Sequence, residues 1–392
     1  MKIVYIYTAL VTVGGADRVI INKANWLANH GYDVHIVTDT QKGRVPVYPL
    51  SSKVTLYDLN IDFSKEYGHI LPIRIFYYFV LMRKYKKKLE DYLKKEKPDV
   101  VITTLGRDLD FLTNIKDGSI KLGESHIVRL YSRNFHLMEQ KGGLYKLLAR
   151  YGRWKQEKTV SQLDGLVLLT EQDRASWKEV TRTFVIPNPL TFSTVEYSKC
   201  ENKQAICVGR YNEQKGYEYL IDAWAIVNSR HPDWTLHAYG AGEMKDYLQK
   251  VISENGLINK IILHEPVSNI VDKYLESSLY ILSSRYEGFA MVLIEAMECG
   301  VPCVSFDCPS GPSDILSHGE DGYLVDYLNS RQLAERICEL IENDELRKEM
   351  GHKAKINVQR YEEDVIMKQW ENLFNMLIQF KKDNKDKSKG IY

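Results

Sequence analysis

The 392-residue sequence is short of the features that announce many protein classes. Its six cysteines all lie between Cys200 and Cys338, none forms a C-x-x-C pair, and no histidine cluster stands beside them. That pattern excludes a zinc ribbon and a disulfide framework, and reads as reduced thiols of a cytosolic chain. Cys207 and Cys303 sit in apolar, strand-like runs, where free thiols are ordinarily buried. No apolar run approaches the length of a membrane span. The opening MKIVYIYTALVTV carries one Lys2 and no small-residue cleavage pattern, so it reads as a buried strand rather than a leader. A dinucleotide fingerprint is missing, because Gly14-Gly15 has no third glycine, and no Gly-Lys-Ser/Thr completes a P-loop. A nicotinamide dehydrogenase and a P-loop NTPase are therefore disfavoured.

Net charge is also scarce, at +1, but it is unevenly spread. Residues 1–190 carry about 30 Lys/Arg against 20 Asp/Glu, and the remainder about 23 against 32. A basic first half suits an anionic acceptor or an anionic membrane surface, although ordinary surface charge is the plainer reading. Nothing points to a nucleic-acid partner. With 44% hydrophobic and 27% charged residues, the chain has core enough for two ordinary domains.

What is present is a repeated alternation. A first strand, VGGADRV opening a helix with Ile20, Ala24, Leu27 and Ala28 at helical spacing, Gly31 as its stop, and YDVHIVTD as a second strand form a Rossmann-like unit. Gly14 and Gly15 either let the backbone approach a ligand or make a tight turn. Residues 40–70 read as mixed loop and strand. From Ile70, ILPIRIFYYFVLMRKYKKKLEDYLKKEK is either a membrane-contact helix with aromatics at the interface, or an amphipathic helix with a core face and a solvated lysine face. Asp108-Leu-Asp110 imitates a metal-binding DxD but lacks the strand setting, so it is discounted. His126, in Leu122-Gly-Glu-Ser-His126, falls just past a strand, where it either meets a sugar hydroxyl or is structural. GLVLLTEQD reads as strand into helix, and FVIPNPL closes the first half, with the boundary after residue 190.

The second half alternates strand and helix cleanly, which predicts a parallel sheet with helices on both faces. Ligands then sit at the carboxyl ends of the strands. Arg210 and Lys215, in VGRYNEQKG directly after a strand, suit a diphosphate. Pro266 and Val267 are candidates to border a base.

The densest stretch is residues 283–311, SSRYEGFAMVLIEAMECGVPCVSFDCPSG. It reads as strand end, loop, helix from Ala290 to Glu298, glycine stop and next strand. A helix N-terminus offers unpaired amides to a phosphate, here near Ala290, Met291 and Val292, with Gly288 and Phe289 in the approach. Glu295 inside the helix can accept from a ribose diol, and Glu287 lies across the phosphates. A hydrolase pair is disfavoured, since eight mostly helical residues separate these acids by about 10 Å or more.

These segments, GGADRV, VLLTEQD, IPNP, VGRYNEQKG and above all the intact Glu-x7-Glu of Glu287 and Glu295, resemble the group 1 (family 4) retaining glycosyltransferases of GT-B fold. The resemblance spans nearly the whole chain and implies two Rossmann-like α/β domains. Residues 1–190 would bind acceptor and 191–365 a nucleotide-sugar, UDP-linked by family precedent. Residues 366–392 would form a helix crossing back to the first domain through Trp370, Leu373 and Leu377, with a frayed charged tail. It also implies ribose on Glu295, diphosphate on Arg210 and Lys215, the transferred sugar near Glu287, and His126 beside that sugar. This sequence has Glu-Ser-His where relatives often have Glu-His, and Glu265 where many have glycine. No cofactor or metal is expected, because Arg210, Lys215 and helix amides would carry the leaving charge. Expected acceptors are a glycan or a lipid-diphosphate-linked glycan at the cytoplasmic face of a membrane. Rivals are a sugar-nucleotide epimerase of the same fold, which needs no acceptor, and a catalytically silent binding module, which would not need Glu287.

Overall fold

Two parallel sheets organise this computed structural model, which describes residues 1–12, 14–66 and 70–389. Val13 of the VGGADRV segment, Tyr67–His69 of the mixed loop region and the tail residues Gly390–Tyr392 lie outside that description. The chain divides into two units. Met1–Leu169, Asp173–Ile186 and Ile366–Tyr392 form the first, and Thr170–Gln172 with Pro187–Val365 form the second.

The first unit's strands are β1 (Lys2–Tyr7), β2 (Asp33–Thr38), β3 (Thr55–Asp58), β4 (Val100–Thr103), β5 (Ile120–Glu124), β6 (Gly165–Leu168) and β7 (Thr183–Val185), in the order β3-β2-β1-β4-β5-β6-β7. The second unit orders β8 (Gln204–Val208), β9 (Thr235–Tyr239), β10 (Ile261–His264), β11 (Leu279–Leu282), β12 (Cys303–Phe306) and β13 (Gly322–Val325) as β10-β9-β8-β11-β12-β13. The central strands are continuous apolar runs because helices cover both faces of the sheet. Ile3–Ile6 and Leu279–Leu282 are accordingly buried throughout. In the second sheet the strand order reverses between β8 and β11. Loops leaving those two strands part there, and such a switch point is where a doubly wound sheet opens a ligand crevice. All six cysteines are buried and free.

The helices used below are α1 (Gly15–Asn29), α2 (Leu71–Glu96), α3 (Phe135–Gln140) and α4 (Gly143–Val160) in the first unit. The second contributes α5 (Tyr217–Arg230) and α6 (Met291–Glu298), and α7 (Glu363–Lys389) ends the described chain. No helix among the described residues is long and apolar enough to cross a membrane.

The amphipathic reading of α2 holds for its second half. Leu81, Tyr85, Leu89, Tyr92 and Leu93 recur at helical spacing and pack with Val4, Ile6 and Val101. Ahead of them Ile73, Ile75, Phe76, Tyr77, Phe79 and Val80 are exposed. The Asp108–Asp110 pattern falls at a four-residue helix, where Asp110 pairs with Arg133 at 3.0 Å.

From Ile366 onward α7 joins the first unit. Ile366, Met367, Trp370, Leu373, Phe374 and Leu377 form its buried stripe. Tyr32 donates to Glu371 at 2.8 Å, and Lys381 donates to the carbonyls of Gly118 and Ser119 at 2.7 and 2.9 Å. The charged residues after Phe380 continue α7. The helix runs to Lys389, because no glycine or proline intervenes before Gly390. Gln379 also bonds Asp383 one turn on, at 2.8 Å.

Candidate active site

The second unit's site is built from two loops, one after β8 and one after β11. A Cβ on Gly209 would lie 2.8 Å from Cε of Lys215, so the glycine leaves room for the lysine stem. Gly216 has φ +59°, and a Cβ there would meet the Ser283 carbonyl at 2.3 Å. That close approach brings the Lys215 backbone to Ser283, whose hydroxyl donates to the Lys215 carbonyl at 3.0 Å. Lys215 Nζ then reaches Oε1 of Glu287 at 2.7 Å, and Ser284 Oγ donates to the same oxygen at 2.5 Å. The lysine side chain is 15% exposed and the glutamate 8%. A charge pair this far out of water is strongly oriented, because its low-dielectric setting strengthens each bond.

Glu287 to Ala290 is a clamped loop. Glu287 N donates to the Pro309 carbonyl at 3.2 Å, and Ser310 Oγ donates to the Gly288 carbonyl at 3.3 Å. Phe289 is buried, edge-on to Tyr361 with centroids 5.4 Å apart. Ala290 stands at φ +57° as the N-cap, so α6 begins at Met291, one residue later than the apolar pattern suggested. The first amides of such a helix have no intrahelical partner and form the positive end of its dipole.

Glu295 is 8% exposed, one turn inside α6. Thr191 Oγ1 donates to one of its oxygens at 2.9 Å and Tyr274 OH to the other at 3.2 Å. A carboxylate offers about four lone-pair directions, and accepting from a diol is within its range. The two acids thus have separate partners, unlike a facing hydrolase pair. Arg210 is exposed, and its guanidinium makes no hydrogen bond or ion pair with the described residues. Of the two expected cations, Lys215 is therefore set in place and Arg210 is not. Val267 is 36% exposed beside Pro266, and neighbouring Glu265 is paired with Lys245.

Gly14, Gly15 and His126 lie in the first unit, at the carboxyl ends of β1 and β5. Gly14 caps α1 with φ −158°, an extended conformation open to any residue, and a Cβ there would meet nothing within 4 Å. No turn geometry demands this glycine. Gly15 is the first residue of α1. His126 Nε2 lies 3.3 Å from Oε1 of Glu124, too poorly aligned for a hydrogen bond. Burial holds its pKa below the usual histidine range, outweighing the attraction of Glu124, and Lys23 lowers it further. Lys23 Nζ bonds Glu124 Oε1 at 2.5 Å and sits 3.7 Å from the centroid of Trp370. Sequence reasoning passed over Lys23, Glu124, Ser284, Thr191 and Tyr274. A lysine on the apolar face of a helix was the one available signal.

A second buried acid in this unit carries a pH prediction. Asp39 follows β2, is 3% exposed, and has an oxygen with no partner. Burial raises its pKa to about 7 against the pull of Arg107, with Asp108 and Asp58 adding to the rise. A raised carboxyl pKa means that the folded state keeps a proton which the unfolded chain sheds near pH 4. Stability from this group is present at acid pH and is lost as pH rises to about 7, by on the order of 4 kcal/mol. Urea unfolding should show wild type losing stability relative to Asp39→Asn between pH 4 and 7. Parallel curves for the two would contradict it.

Comparison with known proteins decides what these loops belong to. The "Glycosyl transferases group 1" family model matches residues 194–357, and the "Glycosyltransferase Family 4" model matches residues 13–191. The chain belongs to the group 1 glycosyltransferases. An uncharacterized glycosyltransferase of Haemophilus influenzae is 28% identical over 380 residues, covering 95% of this chain and 99% of the relative. The amylovoran biosynthesis glycosyltransferase AmsD of Erwinia amylovora is 27% identical over 389 residues, covering 95% and 99%. Among solved structures, a mutant of Staphylococcus aureus TarM in complex with fondaparinux, alpha-GlcNAc-glycerol and UDP superimposes with TM-score 0.75 at 19% identity, covering 95% of this chain and 99% of that one. The glycosyltransferase described here thus has the GT-B fold, two parallel-sheet α/β units with a C-terminal helix joined to the first.

Proposed function

We propose that the protein transfers a sugar, with retention of configuration, from a UDP-sugar to a glycan or lipid-linked glycan acceptor in surface polysaccharide biosynthesis. The observation that carries this is the Lys215–Glu287 pair beside the N-terminus of α6, at the switch point of the second sheet. Residues 191–365 act as the donor domain and 1–190 as the acceptor domain. The diphosphate rests on Lys215 and the amides of Met291 and Val292, with Gly288, Phe289 and Ala290 shaping its approach. Arg210 swings in from solvent to join it. Glu295 takes the ribose hydroxyls, Pro266 and Val267 border the base, and Gly14-Gly15 face the donor from the first domain.

In the reaction, the acceptor hydroxyl bonds to the anomeric carbon on the face that the diphosphate leaves. The carbon–oxygen bond to phosphate breaks, and the departing phosphate oxygen takes the acceptor proton. Lys215, Arg210 and the α6 amides bear the growing negative charge, so no metal ion is required. Glu287 orients the Lys215 ammonium and meets the sugar hydroxyls, and neutral His126 offers one further hydrogen bond to the sugar. The exposed half of α2, within residues 70–97, touches the inner face of the cytoplasmic membrane.

Two supports are independent of the site. AmsD is named for polysaccharide biosynthesis, and the TarM complex contains UDP. The test is a panel of UDP-, GDP- and ADP-sugars scored by thermal shift. One UDP-sugar at about 100 times its Kd should stabilise the protein by about 2.7 kcal/mol, with the others inert. Turnover with acceptor should then give a product of unchanged anomeric configuration, undiminished by EDTA. An inverted product, or conversion of the UDP-sugar without acceptor, would overturn the reading.

A further inference from the structure

We infer that the α3–α4 hairpin of the first unit is a docking surface for an anionic lipid bilayer. Leu144, Leu147, Tyr151 and Trp154 recur at spacings of three and four on α4, and are 69%, 62%, 60% and 54% exposed. Tyr145 and Leu148 widen the stripe, and Leu137 of α3 adds to it. Such a stripe on a soluble helix normally turns to the core. Here the core-facing positions are instead Ala149, Gln156 and Val160. An apolar face of this size in water marks a binding surface.

Its charge identifies the partner. From Lys141 to Gln156 the sequence has five cations and no acid. Arg153 is bound by Glu139 and Lys155 lies 3.9 Å from Asp110. Lys141, Lys146 and Arg150 have no ion pair with the described residues. Lys141 Nζ sits 5.6 Å from the Tyr145 ring and Lys158 Nζ 5.1 Å from the Trp154 ring. Both ammonium groups lie over rings of the apolar stripe, so cations and aromatics share one surface, as they do on helices that lie at a headgroup layer. A soluble polyanion would use the cations and leave the apolar stripe in water. A second copy of the chain would set Lys146 and Arg150 against like charges, because a two-fold contact pairs a surface with itself. A bilayer carrying anionic headgroups satisfies both features.

This surface is separate from the exposed half of α2 and does not depend on which sugar is moved. The experiment is flotation of the full chain with phosphatidylglycerol/phosphatidylcholine vesicles and with pure phosphatidylcholine vesicles. The protein should float with the first, fail to float with the second, and be largely released by salt. Changing Leu147, Tyr151 and Trp154 together to Glu should weaken flotation at least tenfold while the unfolding temperature and UDP-sugar thermal shift stay as in wild type. Lys146→Glu with Arg150→Glu gives a second route, with the same loss expected. Wild-type flotation by both variants would overturn the inference, as would failure of the wild-type protein to bind anionic vesicles. So would a light-scattering dimer that the triple variant splits.

Discussion

Lys215→Ala lowers the rate of sugar transfer by two to three orders of magnitude. That is the scale on which one donor to a developing oxyanion acts, about 2.7–4 kcal/mol of barrier. The lysine is suited to this because its position is prepaid. Gly209 clears its stem, the close approach of Gly216 to Ser283 fixes its backbone, and Glu287 holds its ammonium at 2.7 Å. Little reorganisation is left when charge appears on the leaving phosphate. The same substitution strips Glu287 of its cation, so stability will fall as well. Lys215→Ala combined with Glu287→Gln separates the effects. The double variant should regain most of the stability, measured by urea unfolding, and none of the rate. Transfer within tenfold of wild type in Lys215→Ala would remove the lysine from the mechanism.

The second large effect is structural. Lys23→Met should cost the first unit about 3–5 kcal/mol, because it leaves Glu124 charged and buried without its partner. Glu124 is 0% exposed, and its other oxygen already lacks a hydrogen bond. The thermal transition of that unit should fall by roughly 10 °C. A buried ion pair is poor evidence of net stabilisation, so Lys23→Met with Glu124→Gln should recover much of the loss. Because α7 lays Trp370 over the lysine ammonium, the single variant should also loosen the C-terminal helix, seen as faster amide exchange around Trp370. An unchanged transition in Lys23→Met would show that Glu124 finds compensation elsewhere.

Much of this architecture was readable beforehand for a physical reason. Parallel strands covered on both faces are apolar without alternation, so β1, β4 and β11 stand out between glycine-marked turns. The spacing of Glu287 and Glu295 survived because it is local, spanning one loop and little more than one helical turn. What escaped was non-local or depended on which face had a neighbour. Lys215 and Glu287 are 72 residues apart, and Lys23 and Glu124 are 101 apart. Ala290 entered the left-handed region against its own preference, next to the buried Phe289. The apolar stripe of α4 has the period of a core-facing helix, and periodicity cannot say whether protein, water or lipid meets it.

The account turns on where the pyrophosphate rests. A difference map of crystals soaked with UDP addresses this directly. Density for the distal phosphate should lie within hydrogen-bonding distance of Lys215 Nζ and of the Met291 and Val292 amides, with ribose on Glu295. Density for the nucleotide in another crevice, with Lys215 still bonded only to Glu287, would contradict it.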